Sequence, residues 1–408
     1  MVVAPAHYKG RARLDGSGGK PGPDHQPEAS QVQSGPGRAN SIVKVLSITP
    51  AFFPSLGGLE QVVLELALRA REHGVQMDVA HVARGLCRVS ETVRGVTVHR
   101  LPLYGNRVLG WAPALRKLAQ RYDLLHVHDP QLMAISANVR YTCGSKPAVL
   151  STHGGFWHTN RGYYLKRVYE STMIRGAAGH YRRVLASSVG DYDYFKRYVD
   201  RISLCSNGVH VKEFSTVVPT KKRSLVRWIY WGRLSRHKRV DLIIDYAADA
   251  RRRGFPVDLL ICGQDVDGLM PELRAQIERL QLGDSVRFEP FLDDTALRSE
   301  LAERSVYITA SEHEGFGLSV VEAMAAGLVV ICRDMVPLNS FIEHGNSGWM
   351  LQFDGSEPDM QRLAQLLSST EKKISMMSDA ARQAAGAYDW DSAVPKFVRH
   401  YRDALQEV

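Results

Sequence analysis

Twice along this chain the same three-part signal appears: a short apolar run, a glycine-bearing loop, then a stretch of helical periodicity. The first copy is 42–48, a loop with Pro50, Pro54, Gly57 and Gly58, and a helical pattern over 59–71. The second is 228–231, the loop Gly232-Arg233-Leu234-Ser235-Arg236-His237-Lys238-Arg239, a helical pattern over 240–252 and a further apolar run at 257–262. Apolar runs of this length without polar alternation suit strands buried on both faces, which means a parallel sheet covered by helices. The fold class that follows is α/β. A chain of 408 residues with 44% hydrophobic composition exceeds one ordinary core, so two similar α/β halves with a cleft between them are expected. Residues 1–40, rich in Gly, Pro, Ser and Gln, are read as a disordered tail. The first domain is placed at 41–215, a linker ends near 223, and the second domain runs over 216–389. That leaves the last helix, 390–408, room to pack back on the first domain.

In open α/β sheets ligands bind beyond the carboxyl ends of the strands, so the loops there hold the candidates. Gly57 and Gly58 could bring backbone close to a phosphate or a sugar, although neither G-x-G-x-x-G nor a P-loop ending is present. Behind the strand at 148–151 come Thr152-His153-Gly154-Gly155-Phe156-Trp157-His158-Thr159, with His153 standing at the strand end. Arg233 and Lys238 flank the second domain's first loop, where a guanidinium fork and a mobile ammonium could neutralise a diphosphate. The run His313-Glu314-Gly315-Phe316-Gly317-Leu318-Ser319-Val320-Val321-Glu322-Ala323 puts Glu314 on a strand-to-helix turn and Glu322 about two helical turns on. Unpaired N–H groups at that helix start favour an anion. From the residues alone a loop glycine pair, a surface glutamate and a paired glutamate remain an open alternative. His126, His128 and Asp129 are not read as a metal site, because the two histidines stand i, i+2 on a strand end with no third ligand signalled nearby.

Charge is uneven. Residues 41–220 carry 23 Lys/Arg against 12 Asp/Glu, whereas 221–408 carry 24 against 28. A basic first half suits phosphorylated substrates, an anionic membrane face or nucleic acid. Within 161–201, nine Lys/Arg stand among tyrosines, a composition that suits anionic lipid heads as well as an ordinary amphipathic helix pair. Five scattered cysteines with no C-x-x-C pair argue against a disulfide framework and point to a reducing compartment. No apolar stretch approaches the length of a membrane-spanning helix, and the first thirty or so residues lack the apolar core of a signal peptide.

With Gly57-Gly58, Gly232-Arg233-Leu234 plus Lys238, and Glu314-x7-Glu322 in this order, residues 42–400 resemble the family four retaining glycosyltransferases of the two-Rossmann-domain (GT-B) type. The stretch 150–159, the run from His313 to Leu318 and Ala326-Gly327-Leu328 are similar to the bacterial exopolysaccharide α-mannosyltransferases of the xanthan and acetan pathways. Those enzymes move mannose from GDP-mannose to a cellobiosyl diphosphopolyprenol on the cytoplasmic membrane face. The resemblance implies that Glu314 binds donor-sugar hydroxyls, Glu322 the ribose, and Arg233 and Lys238 the diphosphate. It further implies that His153 lies against the donor sugar, and that Gly57, Gly58, Gly315, Phe316, Gly317 and Leu318 complete the donor site. No metal and no cofactor are implied, Arg233 and Lys238 standing in their place. The implied partners are a nucleotide sugar, a polyprenyl-diphosphate oligosaccharide and an anionic membrane surface, with no nucleic acid. The implied location is peripheral, on the inner face of the plasma membrane. One departure is Met335-Val336-Pro337-Leu338-Asn339, where the family usually has Gly-Gly-x-x-Glu. Other readings are a family four enzyme using UDP-glucose, UDP-GlcNAc or a soluble acceptor, and a non-enzymatic nucleotide- or nucleic-acid-binding protein.

Overall fold

The computed structural model describes residues 42–55, 57–106, 108–129, 133–154, 163–220 and 224–407. The tail 1–40, the stretch 155–159 and the linker end 221–223 lie outside them. The first half contributes β1 (Val43–Thr49), β2 (Val75–Ala83), β3 (Val89–Val93), β4 (Val96–Pro102), β5 (Tyr104–Gly105), β6 (Gly110–Trp111), β7 (Leu124–His128), β8 (Ala148–Ser151), β9 (Arg183–Ala186) and β10 (Ile202–Leu204). Eight of these form one sheet in the order β10-β9-β8-β7-β1-β2-β4-β3, while β5 and β6 pair separately as a small hairpin. Every neighbouring pair in the large sheet is parallel except β3 against β4. The second half contributes β11 (Arg227–Trp231), β12 (Asp258–Cys262), β13 (Val286–Glu289), β14 (Val306–Thr309), β15 (Val329–Arg333) and β16 (Trp349–Leu351). These make a wholly parallel sheet in the order β13-β12-β11-β14-β15-β16.

The two apolar runs that open the domains are the middle strands, β1 and β11, and successive side chains on each enter opposite faces. Leu46 and Ile48 join the cluster under helix Ala134–Thr142, while Val45 joins the one under helix Gly58–Arg69. In β11, Trp228 and Tyr230 take one face, and Ile229 and Trp231 the other. Burial on both faces is why these strands read as unbroken apolar runs. The last helix, Trp390–Gln406, lies against the first sheet. Its Trp390, Phe397 and Tyr401 share a buried cluster with Val45, Leu124 and Val149.

Three elements differ from the sequence reading. The edge strand β3 was not visible because it is almost wholly exposed and has no buried face to set up an alternation, although its partner β4 alternates buried and half-buried residues. Its turn places both Arg94 (φ 48) and Gly95 (φ 84) in the left-handed region, the geometry of a two-residue hairpin. The amphipathic pattern over 357–385 predicts one helix, whereas the structure has two, Glu357–Leu367 and Glu371–Ala385, because the Thr370 hydroxyl accepts from Lys373 N and starts a new helix. The stretch after Val336 forms only the short 3-10 turn Leu338–Ser340 in place of a helix.

In each sheet the connections reverse direction beside the opening strand: β1 lies between β2 and β7, and β11 between β12 and β14. A crevice opens beyond the carboxyl ends of the strands at such a switch point. The loops after β1, β8, β10, β11 and β14 all reach it.

Candidate active site

The second domain supplies the charged wall of this crevice. Directly after β11, Gly232 sits at φ 153, and a methyl there would come within 3.0 Å of the Tyr230 hydroxyl. The Tyr230 hydroxyl in turn donates to the Arg233 carbonyl at 3.0 Å, which fixes the start of the loop. The Arg233 side chain is exposed and has no ion-pair partner among the described residues. Lys238 closes the 3-10 turn Arg236–Lys238, and its Nζ donates to Glu314 Oε1 at 2.5 Å. The two side chains are only 15% and 12% exposed, so the ion pair is largely withdrawn from solvent.

Glu314 occupies the turn between β14 and helix Leu318–Ala325, and Gly317 (φ 99) precedes that helix in the left-handed region. Phe316 anchors the turn by packing edge-on against Phe341 at 5.1 Å. On the same helix Glu322 receives the Trp231 indole N–H on Oε2 at 3.3 Å. Burial pushes its carboxyl up to about 7, with Asp294 adding in the same direction, against the lowering effect of the indole bond and His210. A carboxylate held at that threshold gains from any donor that binds its charged form.

The first domain meets this wall at van der Waals distance. A methyl at Gly154 would lie 2.6 Å from Gly315 Cα, and one at Gly315 would lie 2.9 Å from the His153 carbonyl oxygen. A methyl on Gly58, the first residue of helix Gly58–Arg69, would lie 3.1 Å from Leu318 Cδ1. Glycines at 58, 154 and 315 therefore let the two halves come this close.

His153 is held from both sides. Asp191 Oδ2 accepts from the Thr152 hydroxyl, from Gly154 N at 3.0 Å and from the Ser187 hydroxyl at 3.0 Å. The His153 ring bonds through Nε2 to His128 Nδ1 at 2.9 Å, and His128 stacks on His126 with centroids 4.0 Å apart. His126 is fixed by the Ser151 and Tyr401 hydroxyls, each at 2.8 Å. Burial pushes His126 down to about 3 and His153 to about 4, and holds His128 well below the usual imidazole range. All three are neutral near pH 7, so His153 brings a hydrogen bond to the cleft and no charge.

This arrangement makes a stability prediction. Imidazoles with depressed folded values stabilise the fold above about pH 6.5, and that contribution drains away as pH falls. Each adds roughly 1.4 kcal/mol of loss per pH unit below its free value. The melting temperature is therefore expected to drop steeply between about pH 6.5 and pH 5. A flat profile over that interval would mean that the stack takes up protons where it stands.

His153, Arg233, Lys238, Glu314, Glu322, Gly57, Gly58, Gly315, Phe316, Gly317 and Leu318 all line one cavity of ≈ 410 Å³. Gly232 and Ser319, from the two motifs, line it too, as do Leu59, Gln61, Asn207 and Trp231, which were not singled out from the sequence. Asn207 had looked like an ordinary turn residue. Its position just past a parallel strand, β10, was the available signal. The cavity thus joins an unpaired guanidinium, an ammonium, two carboxylates, a helix N-terminus and a neutral imidazole, a set suited to an elongated ligand with phosphates in its middle.

The chain is similar to known proteins over most of its length. The model described as Glycosyltransferase Family 4 matches residues 56–213, and the one described as Glycosyl transferases group 1 matches 212–384. A GDP-mannose:cellobiosyl-diphosphopolyprenol alpha-mannosyltransferase of Komagataeibacter xylinus is 29% identical over 376 residues, covering 90% of this chain and 95% of its own. The enzyme of the same name from Xanthomonas oryzae pv. oryzae is 28% identical over 375 residues, with 89% and 97% covered. Among solved structures, sucrose-phosphate synthase from Thermosynechococcus elongatus superposes with a TM-score of 0.71 at 17% identity, covering 88% of this chain and 98% of that one.

Proposed function

The chain belongs to the family 4 glycosyltransferases of GT-B fold, and from that premise we propose that it transfers mannose from GDP-mannose to an oligosaccharide carried on a polyprenyl diphosphate, with retention of anomeric configuration. The observation that carries the reading is the meeting of Arg233, Lys238, Glu314, Glu322 and His153 in one cleft between the domains. Relatives named for this reaction match over nearly their whole length. Membership of the family replaces the non-enzymatic alternative.

In this reading the diphosphate lies along Arg233 and Lys238, with the ribose on Glu322 and the sugar hydroxyls on Glu314. The bond from the anomeric carbon to the diphosphate oxygen breaks, and its electron pair stays on that oxygen. The acceptor hydroxyl adds on the face being vacated, and its proton passes to the departing phosphate. The protein contributes positioning and fixed positive charge where negative charge develops. The Lys238–Glu314 ion pair couples these tasks, since one holds the leaving group and the other the sugar that leaves it. The two side-chain cations do this without a metal ion. His153, neutral and clamped, donates or accepts one hydrogen bond at the sugar. The basic first domain faces an anionic membrane from the cytoplasmic side, where the lipid-linked acceptor resides.

A thermal-shift comparison of GDP-mannose, UDP-glucose and UDP-GlcNAc tests the donor. A ligand at about 100 times its Kd stabilises by about 2.7 kcal/mol. GDP-mannose is expected to give the largest shift, and GDP release from it is expected to depend on a polyprenyl-diphosphate acceptor. A larger shift with a UDP-sugar, followed by turnover of that sugar, would remove mannose from the proposal and leave the reaction class intact.

A further inference from the structure

Away from the cleft the first domain displays apolar side chains that it holds outward. In and beside the β5–β6 hairpin, Tyr104, Val108, Leu109 and Trp111 are 60%, 53%, 82% and 51% exposed. Their outward setting is built in. Asn106 Oδ1 accepts from both Val108 N and Leu109 N at 2.8 Å. Gly105 turns at φ 100, and any side chain there would strike the Leu109 carbonyl. A methyl at Gly110 would press within 2.8 Å of Leu103. From helix Ala134–Thr142, Asn138 accepts from Ala112 N and donates to the Gly110 carbonyl, each at 2.8 Å. The chain is thus pinned on both sides of Leu109.

Basic side chains flank the hairpin: Lys117 lies on helix Pro113–Ala119, which follows it directly, and Arg140 lies two residues beyond Asn138 on the helix that holds it. One helical turn beyond Asn138, Tyr141 is 73% exposed under the Arg140 guanidinium, 5.3 Å from its ring centroid. Arg140 itself reaches on to the Gly176 carbonyl at 2.6 Å, linking this strip to exposed Met173. The hairpin follows the carboxyl end of β4, which runs parallel to β2 and so to β1. It therefore emerges at the same edge of the sheet as the Gly57-Gly58 loop and His153.

We propose that this hairpin is a wedge that enters the head-group layer of an anionic phospholipid bilayer. Leu109 and Trp111 sink to the acyl boundary, and the surrounding lysines and arginines meet lipid phosphates. Aromatic residues with a basic rim are the composition of an interfacial anchor, and a two-stranded tip is too narrow for a stable protein interface. The inference rests on the lipid-linked acceptor reading, for which it sets the mouth of the cleft at the membrane surface.

The test is co-sedimentation of the full chain with vesicles of phosphatidylcholine, with and without phosphatidylglycerol. Wild type is expected to bind the anionic vesicles and to be released by salt. The double variant Leu109→Asp, Trp111→Ser is expected to bind about tenfold less or weaker still. Its melting temperature and its GDP release with a short-chain, water-soluble acceptor are expected to match wild type. Equal vesicle binding by the variant, no wild-type binding to anionic vesicles, or a loss of self-association in the variant without loss of vesicle binding each overturns the wedge. Reduced vesicle binding in an enzyme that turns over no lipid-linked acceptor would keep the wedge and sink the acceptor reading.

Discussion

Lys238→Ala is expected to lower kcat by about two to three orders of magnitude, because in the proposed reaction it removes a fixed charge from the oxygen on which negative charge develops. Arg233→Ala should act on the same oxygen pair, but with a larger share of its effect in KM. Arg233 is exposed and has no ion-pair partner among the described residues, so in the proposed role the ligand recruits it, whereas Lys238 is already locked to Glu314 at 2.5 Å. That ion pair gives the experiment its discriminating power. Removing Glu314 frees Lys238, and removing Lys238 leaves a largely buried carboxylate without its counter-charge, so single losses include this penalty. Lys238→Ala combined with Glu314→Ala should therefore be much less damaging than the product of the two single effects. Strict multiplication of the two losses would show that the side chains work independently, and the coupling of leaving group to sugar would have to be abandoned.

Glu322→Gln should separate stability from binding. The carboxyl of Glu322 is raised to about 7 from an ordinary 4.5, chiefly by burial. A raised value means the folded state holds a proton that the unfolded chain has lost. This stabilisation is complete below about pH 4.5 and is lost as pH rises toward 7. Above that pH wild type carries a buried charge that glutamine does not, and the variant should be more stable by roughly 3 kcal/mol as an upper figure. If Glu322 holds the ribose as proposed, the same change should weaken nucleotide binding by about 10- to 100-fold, since a charged acceptor for two hydroxyls becomes a neutral amide. Melting curves at about pH 8 and a nucleotide titration decide it. A variant that is less stable and binds nucleotide normally would make Glu322 a packing residue.

Much of the candidate site was legible because its chemistry sits on strand-to-loop transitions, which are local signals. Glu314 and the glycines around it announce a strand ending and a helix beginning within a few residues. Arg233 and Lys238 do the same after β11. What could not be read is whatever depends on partners far apart in sequence. Trp231 looked like the end of a core strand, and its bond to Glu322 spans 91 residues. Asp191 looked like one acid among many, yet it clamps Thr152 and Gly154 from 39 and 37 residues away. Both sheets were foreseeable from their buried middle strands, whereas β3 was not, because an exposed edge strand puts no apolar pattern into the chain. The hairpin wedge escaped notice for a related reason: exposure of Leu109 and Trp111 is a property of the folded turn and not of their residue types.

The last helix has a consequence for synthesis on the ribosome. Trp390, Phe397 and Tyr401 fill a face of the first sheet, and the Tyr401 hydroxyl holds His126 in the stack behind His153. Those residues leave the exit tunnel only after the whole second domain. Until then the first domain lacks part of its core, and the imidazole stack lacks one of its two hydroxyl anchors. The first domain therefore completes its core only after the second domain has been made, and a product ending before Trp390 would keep both sheets' sequences while losing the support beneath its cleft.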